Sequence, residues 1–183
     1  MYNWFIKKYY EFLDRKKASY IQKLVDRGLV LGRNVNIVDT FFFDPSHCFL
    51  ISIGDNCTIA PGVRLIAHDA STKRFLGYTK IGKIHIGADC FIGDSVIVLP
   101  NVAIGQGSII GAGSVVTRDI PSGVVAAGNP AKVICPVDQY LDKIRSIAQQ
   151  KKIFDESYYI ESLDNIKRNE ILESVEKSMG FIV

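Results

Sequence analysis

Hydrophobic residues recur at every sixth position over residues 86–121 of the chain. Six consecutive units each open on an aliphatic residue: Ile86, Ile92, Val98, Ile104, Ile110 and Val116. Neither the 3.6-residue period of a helix nor the two-residue period of a strand produces this spacing. A period of six is typical of a β-helix, in which three short parallel strands form one triangular coil of about eighteen residues. The segment therefore predicts two complete, stacked coils.

The interior of such a prism is expected to hold the openers and the fifth residue of each unit. These fifth residues are Cys90, Val96, Val102, Ser108, Ser114 and Ile120. Burying one large aliphatic side chain is worth about 1.5–3 kcal/mol. A single coil cannot bury its own face, so the repeat requires stacking and caps. Gly follows the opener in four of the six units, where we expect a corner at which a Cβ is costly.

The six-residue register also covers residues 31–65, with one interruption inside this range and a second directly after it. It starts at Leu31, slips between Asp44 and Leu50, and resumes from Ile53 to Leu65. The second interruption, an extended loop at about 67–80, is polar and reads AHDASTKRFLGYTK. Loops on a rigid scaffold are where binding and catalysis concentrate. His68 opens this loop and is therefore a candidate for chemistry.

Helical patterns flank the repeat on both sides. Residues 2–28 end on Gly28 and carry a stripe of Phe5, Tyr9, Phe12, Leu13, Tyr20 and Leu24 with basic residues among them. We interpret them as a helical cap over the first coil; a basic, aromatic face lying on an anionic membrane surface is an alternative that we do not favour. Helical spacing returns from Val137. The predicted domains are a cap (1–28), a β-helix (29–135) and a C-terminal helical segment (136–183).

The end of the repeat resembles a known family. The run IGAGSVVTRDIPSGVVAAGNPAKVI, residues 110–134, is similar to the end of the hexapeptide-repeat acyltransferases such as galactoside and maltose O-acetyltransferases. The resemblance covers about residues 30–135. It implies a left-handed β-helix, an exception to the right-handed crossover rule, together with a homotrimer and acyl transfer from acetyl-CoA. The expected fold is mainly β: a left-handed parallel β-helix with N-terminal and C-terminal helical segments.

Composition narrows the function classes. The formal charge of +3 over 183 residues does not suggest a nucleic-acid partner. The first residues, MYNWFIKKYYEF, carry charges where a signal peptide has its apolar core, so a cytoplasmic location is expected. The four cysteines show no zinc-binding spacing, and no metal is expected. Cys57 and Cys90 fall on interior positions and are expected to pack in the core.

Acetyl transfer to a hydroxyl needs a base, because an alcohol is a poor nucleophile until its proton is taken. Imidazole titrates near neutral pH and suits this role. Of the three histidines, His68 is the predicted general base, both from its loop and because the resemblance implies a base at this point. His47 lies in the earlier interruption, where lining the acceptor pocket and a structural role are equally open. His85 precedes an interior opener and should point outward.

The resemblance also implies the acyl-donor site. The residues at coenzyme A-contacting positions are Phe91, Ala112, Thr117, Arg118 and Lys132, with the backbone N–H near Asp94 at the oxyanion-donor position. Arg118 and Lys132 suit phosphate groups. Cys135 stands where galactoside acetyltransferases have a further basic residue. On the acceptor side, Thr40 and Cys48 depart from the sugar-binding residues of the galactoside enzyme, and the candidates here are Asp44, His47 and Asp69.

The sequence therefore favours an acetyl-CoA-dependent O-acetyltransferase acting on a sugar or surface-polysaccharide hydroxyl, by direct attack on the thioester. An N-acetyltransferase acting on an amino sugar is the alternative enzyme, and a non-catalytic β-helix scaffold is the alternative of another class. A γ-type carbonic anhydrase needs three zinc-binding histidines with two of them five residues apart. Here His47, His68 and His85 are separated by 21 and 17 residues, which excludes it.

Overall fold

Short strands separated by tight turns make up most of the chain up to residue 136. The computed structural model describes residues 2–183, with the side chains of Lys8 and residues 12–183. Residue 1 of the predicted cap and the side chains of Phe5 and Tyr9 lie outside the described part. Two compact units divide at Val137 and Asp138, and each is described by itself.

The elements of the first unit follow one another in chain order. They are α1 (Tyr2–Asp26), β1 (Val30–Leu31), β2 (Asn36–Ile37), β3 (Phe41–Phe43), β4 (Ile51–Ile53), β5 (Thr58–Ile59), β6 (Val63–Leu65), β7 (His68–Asp69), α2 (Lys73–Leu76), β8 (Lys80–Ile81), β9 (Ile84–Ile86), β10 (Phe91–Ile92), β11 (Ile97–Val98), β12 (Val102–Ile104), β13 (Ile109–Ile110), β14 (Val115–Val116), β15 (Val124–Ala127) and β16 (Lys132–Pro136).

Three sheets form the faces of a β-helix. Face A contains β1, β4, β9 and β12; face B contains β2, β5, β10, β13, β15 and β16; face C contains β3, β6, β11 and β14. Neighbouring strands are parallel, apart from the antiparallel pair β15–β16 at the end of the prism. The register aligns openers of successive coils, as in Leu65, Val98 and Val116 on face C. The predicted coils are confirmed.

The core of the prism consists of the positions that the period of six selects. All six openers from Ile86 to Val116 are fully buried, and the fifth residues are buried as well. The two interior serines are satisfied, since Ser108 donates to the Pro121 carbonyl and Ser114 to the Gly111 carbonyl. Cys57 and Cys90 lie in this core. Burial raises the pKa of Cys90 to about 11 and raises that of Cys57, which keeps both groups protonated at neutral pH.

The repeated glycine is required by close contact between coils. A Cβ on Gly87 would lie 2.5 Å from the backbone nitrogen of Gln106, and one on Gly54 would lie 2.6 Å from that of Ala88. The left-handed backbone of the first corner instead falls two residues later, as at Asp89 with φ 58°. A Cβ at the second position of the unit is therefore costly, as predicted, because it would collide with the backbone of the next coil.

Helix α1 lies against the first coil through its C-terminal half. Leu24 is buried, the Lys17 ammonium donates to the Ile37 carbonyl, and the Tyr20 ring lies 5.8 Å from that of Phe41. Gly28, with φ 102°, ends the helix as predicted. Among the described residues, no helix is long and apolar enough to cross a membrane.

The second unit contains more than the predicted helix. Its elements are α3 (Val137–Ala148), β17 (Ile153–Phe154), α4 (Asn165–Val175) and β18 (Phe181–Ile182). Strands β17 and β18 pair in parallel and bury Phe154, a pairing that the sequence pattern did not predict. The domain boundaries at residues 28 and 135 stay a prediction.

Candidate active site

Both interruptions of the register begin at the same corner of the prism, where face C ends. Asp44 directly follows β3, and His68 follows β6 three residues after Leu65. Since Phe43 pairs with Leu65 and the Asp44 N–H donates to the Leu65 carbonyl, the two interruptions are stacked on neighbouring coils. The stacking brings together side chains that are 24 residues apart.

The backbone around Asp44 fixes its carboxylate. The Ser46 N–H donates to Oδ1 of Asp44 at 3.1 Å, and a short 3₁₀ turn at Cys48–Leu50 follows. Just before this turn, the His47 N–H donates to the Asp44 carbonyl. The Asp44 side chain is fully buried, so it needs partners inside the protein.

An antiparallel hairpin holds His68 at the start of the extended loop. His68 pairs with Ile81, and Asp69 pairs with Lys80. The Lys80 ammonium lies 2.5 Å from the Asp69 carboxylate, which also accepts from the Ser71 N–H at 2.8 Å. These two contacts, Lys80 first, hold the pKa of Asp69 well below its usual range. Asp69 thus closes the base of the loop beside His68.

The central contact of the site joins His68 to Asp44. Nδ1 of His68 lies 2.5 Å from Oδ2 of Asp44, and the His68 side chain remains 34% exposed. Burial raises the pKa of Asp44, but the His68 hydrogen bond, the Ser46 N–H and the two imidazoles outweigh it, so the net pKa is lowered. An ionised carboxylate can only accept hydrogen bonds. His68 therefore donates from Nδ1, which leaves Nε2 as the proton acceptor.

His47 lies on the other side of the same carboxylate. Its Nδ1 is 3.5 Å from Oδ2 of Asp44, and the His47 and His68 ring centroids are 5.0 Å apart. Nδ1 of His47 is buried without a hydrogen-bond partner in the described part of the chain, while 27% of the side chain is exposed. The partly exposed ring thus lies next to His68.

Asp44, His47 and His68 could also be considered as metal ligands, because their donor atoms lie within 4.8 Å of one another. Two ligands of a tetrahedral zinc ion, each about 2.0 Å from the metal, are separated by about 3.3 Å. The Asp44–His68 separation of 2.5 Å is too short for two ligands of one zinc ion, and it leaves room between the two atoms only for a hydrogen-bonded proton. The arrangement fits a shared proton better than a shared metal.

The third histidine lies elsewhere. His85 is in β9, exposed on face A as predicted, and its Nδ1 lies 2.9 Å from the Ser52 hydroxyl. It does not join the cluster of Asp44, His47 and His68.

The residues predicted to contact the acyl donor lie at two different corners of the prism. Thr117 and Arg118 follow β14, at the same end of face C as His68. Asp94 and Ala112 lie in stacked turns at its opposite end, since the Gly113 N–H donates to the Asp94 carbonyl. Phe91 lies in β10 and is 45% exposed. The exposed Lys132 begins β16, where it pairs with Ala127, and lies towards the corner that holds Asp94 and Ala112.

The two corners are far apart within one chain. The Ser95 N–H donates to the Pro61 carbonyl, so Asp94 lies over the neighbourhood of Pro61. His68 lies seven positions after Pro61, with strand β6 between them, a span of roughly 20 Å. Asp94 and His68 of one chain therefore do not meet at one reacting atom.

The contact between Asp44 and His68 was not predicted from the sequence. The role of Asp44 as an acceptor contact stays a prediction; the structure shows its fully buried carboxylate hydrogen-bonded to the His68 imidazole. A signal was present, because both residues follow the last strand of a coil at a register break. This signal predicts a contact only once it is known that the two coils are neighbours.

Three comparisons place the fold among known proteins. Residues 83–118 match the family described as bacterial transferase hexapeptide (six repeats). SAV2555 of Staphylococcus aureus strain Mu50, which its name describes as a candidate acetyltransferase, is 57% identical over 65 residues, or 36% of this chain and 33% of that protein. The chain thus matches about a third of that relative's length.

Two solved structures share the β-helix. A galactoside acetyltransferase in complex with coenzyme A is 39% identical with a TM-score of 0.50, covering 61% of this chain and 56% of that one. The acetyltransferase VCA0836 of Vibrio cholerae, complexed with acetyl-CoA, is 27% identical with a TM-score of 0.53, covering 58% of each chain. This chain therefore carries the hexapeptide repeat of bacterial transferases, folded as a left-handed β-helix, and resembles the hexapeptide-repeat acyltransferases.

Proposed function

We propose that this chain is an acetyl-CoA-dependent O-acetyltransferase that acts on a sugar or surface-polysaccharide hydroxyl, with His68 as its general base. The observation that carries the proposal is the contact of 2.5 Å between Nδ1 of His68 and the buried Asp44 carboxylate. A scaffold has no need of a buried carboxylate that orients a partly exposed imidazole. The similarity to proteins solved with coenzyme A and acetyl-CoA supports the choice of acyl donor.

The proton path follows from the tautomer. Nε2 of His68 accepts the proton of the acceptor hydroxyl as its oxygen attacks the thioester carbonyl carbon. The imidazolium formed is stabilised by the Asp44 carboxylate. When the carbon–sulfur bond breaks, the same proton passes from Nε2 to the departing thiolate. Asp44 is a positioning residue in this scheme, and it holds its charge because its pKa is low.

The acyl-donor site needs a second copy of the chain. His68 and Asp94 lie at corners separated by roughly 20 Å, yet the base and the oxyanion donor must reach the same carbon. A homotrimer solves this, because His68 of one copy can face the Asp94 corner of the next. Phe91, Ala112, Thr117, Arg118 and Lys132 are then the proposed contacts of acetyl-CoA, with the backbone N–H near Asp94 as the oxyanion donor.

The acceptor is proposed to bind beside the paired imidazoles. His47 is the better candidate for a contact, because its ring is 5.0 Å from that of His68 and partly exposed. Asp69 stays a candidate, although Lys80 and Ser71 already occupy its carboxylate. The acceptor class, a sugar or surface-polysaccharide hydroxyl, and the cytoplasmic location remain predictions.

The test compares His68→Ala with the matched variant His85→Ala. General-base catalysis contributes about 10²–10⁴-fold, so His68→Ala should lower kcat by that range with an unchanged acetyl-CoA binding curve. His85→Ala should stay close to wild type, because His85 lies on face A outside the cluster. The measurement is thiol release over a panel of neutral sugars and amino sugars.

Three outcomes would contradict parts of the proposal. Near-normal turnover by His68→Ala would show that the base is misassigned. Preference for amino sugars over their hydroxyl counterparts would make the protein an N-acetyltransferase. No rise in the melting temperature of the wild type with saturating acetyl-CoA would favour the scaffold, because a ligand of the folded state must stabilise it.

A further inference from the structure

The positive charge of the chain is concentrated in its first 27 residues. This segment has seven basic residues and three acidic ones, a net charge of +4, whereas the whole chain has 22 and 19, a net charge of +3. The remaining 156 residues therefore carry a net charge of −1. Helix α1 spans nearly all of the basic segment, and the proposed acetyl transfer uses none of it.

The two sides of α1 differ in what they contact. Ile21, Leu24 and Val25 pack with the core, and Lys17 and Tyr20 contact the first coil. At about 100° per residue, residues 8, 12, 15, 16 and 23 fall within an arc of about 100° on the opposite side of the helix. All five are exposed. We call these five residues the outer stripe; they are Lys8, Phe12, Arg15, Lys16 and Lys23.

The outer stripe combines cationic groups with an exposed aromatic ring. Phe12 is 51% exposed, and the Lys16 ammonium lies 4.6 Å from the centre of its ring. Leu13 and Tyr20, next to the stripe, are 40% and 39% exposed. The helix begins YNWFIKKYY, a sequence that includes the single Trp of the chain. Trp and Tyr are enriched where membranes meet water, and interfacial helices have basic polar faces.

We propose that the outer stripe of α1 lies on an anionic phospholipid surface and holds the protein there peripherally. Charge complementarity selects the surface, because the stripe has four basic residues, and among the described side chains of α1 Asp26 is the one exposed acidic residue on the same side. The exposed ring of Phe12 favours lipid over a nucleic acid or another soluble polyanion, since it can enter the headgroup region. The core contacts of Leu24 keep the inner side of the helix on the β-helix while the outer side binds.

The test is flotation of the full chain with vesicles of defined composition. Vesicles of phosphatidylcholine alone are compared with vesicles containing about 30% phosphatidylglycerol, at about 0.1 M and about 1 M salt. The charge variant is Arg15→Glu/Lys16→Glu/Lys23→Glu. The matched control, Lys143→Glu/Arg168→Glu/Lys177→Glu, makes the same charge change at exposed positions of the second unit. Phe12→Ser tests the aromatic contact separately, and circular dichroism with thermal melting checks that each variant is folded.

The expected result is binding to anionic vesicles at low salt that is largely lost at high salt. Each basic residue near such a surface strengthens binding by about fivefold, so the charge variant should lose about a hundredfold or more. Phe12→Ser should lose several-fold, and the control should bind as the wild type does.

Equal binding to both vesicle types would overturn the proposal, and so would equal losses in the charge variant and the control. Binding to heparin or DNA without binding to anionic vesicles would also overturn it and assign the stripe to a soluble polyanion. Thiol release by the charge variant, measured with a soluble acceptor, should match the wild type.

Discussion

Replacing Asp44 by Asn changes the hydrogen-bonding character of one buried atom while its size is kept. The retained Oδ1 can still accept from the Ser46 N–H, which lies 3.1 Å away. In place of Oδ2, an amide NH₂ group would face Nδ1 of His68 at hydrogen-bond distance. A donor there requires His68 to accept at Nδ1, so the ring proton moves to Nε2. The base is then protonated on the atom that should accept.

The size of the effect follows from the step that is lost. General-base catalysis supplies about 10²–10⁴-fold, which corresponds to about 2.7–5.5 kcal/mol of activation free energy. We expect kcat of Asp44→Asn to fall within that range, while the affinity for acetyl-CoA remains close to wild type. The affinity is spared because the amide lies next to His68, and the substitution touches none of the proposed contacts of acetyl-CoA.

The pH dependence gives a second readout. Since the pKa of Asp44 is lowered in the folded chain, ionisation of this carboxyl stabilises the fold above its unfolded pKa of about 3.9. That contribution is lost as the pH falls through the lower folded value. Asp44→Asn has no such group. Its free energy of unfolding relative to wild type should therefore change in this acidic range.

The assay is thiol release with the best acceptor of the panel, beside an acetyl-CoA binding curve and a urea denaturation curve. Asp89→Asn is the matched control: it makes the same exchange at an exposed corner with φ 58°, a conformation that Asn tolerates. The control should keep its kcat within threefold. If Asp44→Asn also keeps kcat within threefold while folded, the carboxylate does not set the tautomer of His68, and the reasoning fails.

Three further predictions follow from the fold and the proposed site. Arg118→Ala and Lys132→Ala should raise the KM for acetyl-CoA more than they lower kcat, since phosphate contacts bind ground and transition states alike; a tenfold loss of kcat at unchanged KM contradicts this. Light scattering should give the mass of three chains, and a fully active single chain would exclude the shared site. Ile104→Ala should lower the free energy of unfolding by about 2–5 kcal/mol in urea, because this opener is fully buried; a loss below about 1 kcal/mol would contradict a packed interior.

The sequence by itself determined the repeat and the identity of its interior. A period of six leaves one arrangement in which every opener is buried, because each coil repeats the same local geometry over the last. The six openers from Ile86 to Val116 were assigned to the core on that basis, and all six are buried. Gly28 as a helix end and the outward direction of His85 followed from equally local rules.

The partner of His68 was decided by the tertiary structure. Asp44 and His68 meet because their coils are neighbours, and no local rule relates residues that are 24 positions apart. The same holds for the pair of β17 and β18 in the second unit, whose strands are too short for a periodic signal. The separation of His68 from Asp94 also depends on strand register, which fixes the corner at which each residue lies. Burial patterns can be read along one chain, whereas contacts between coils depend on how the coils stack.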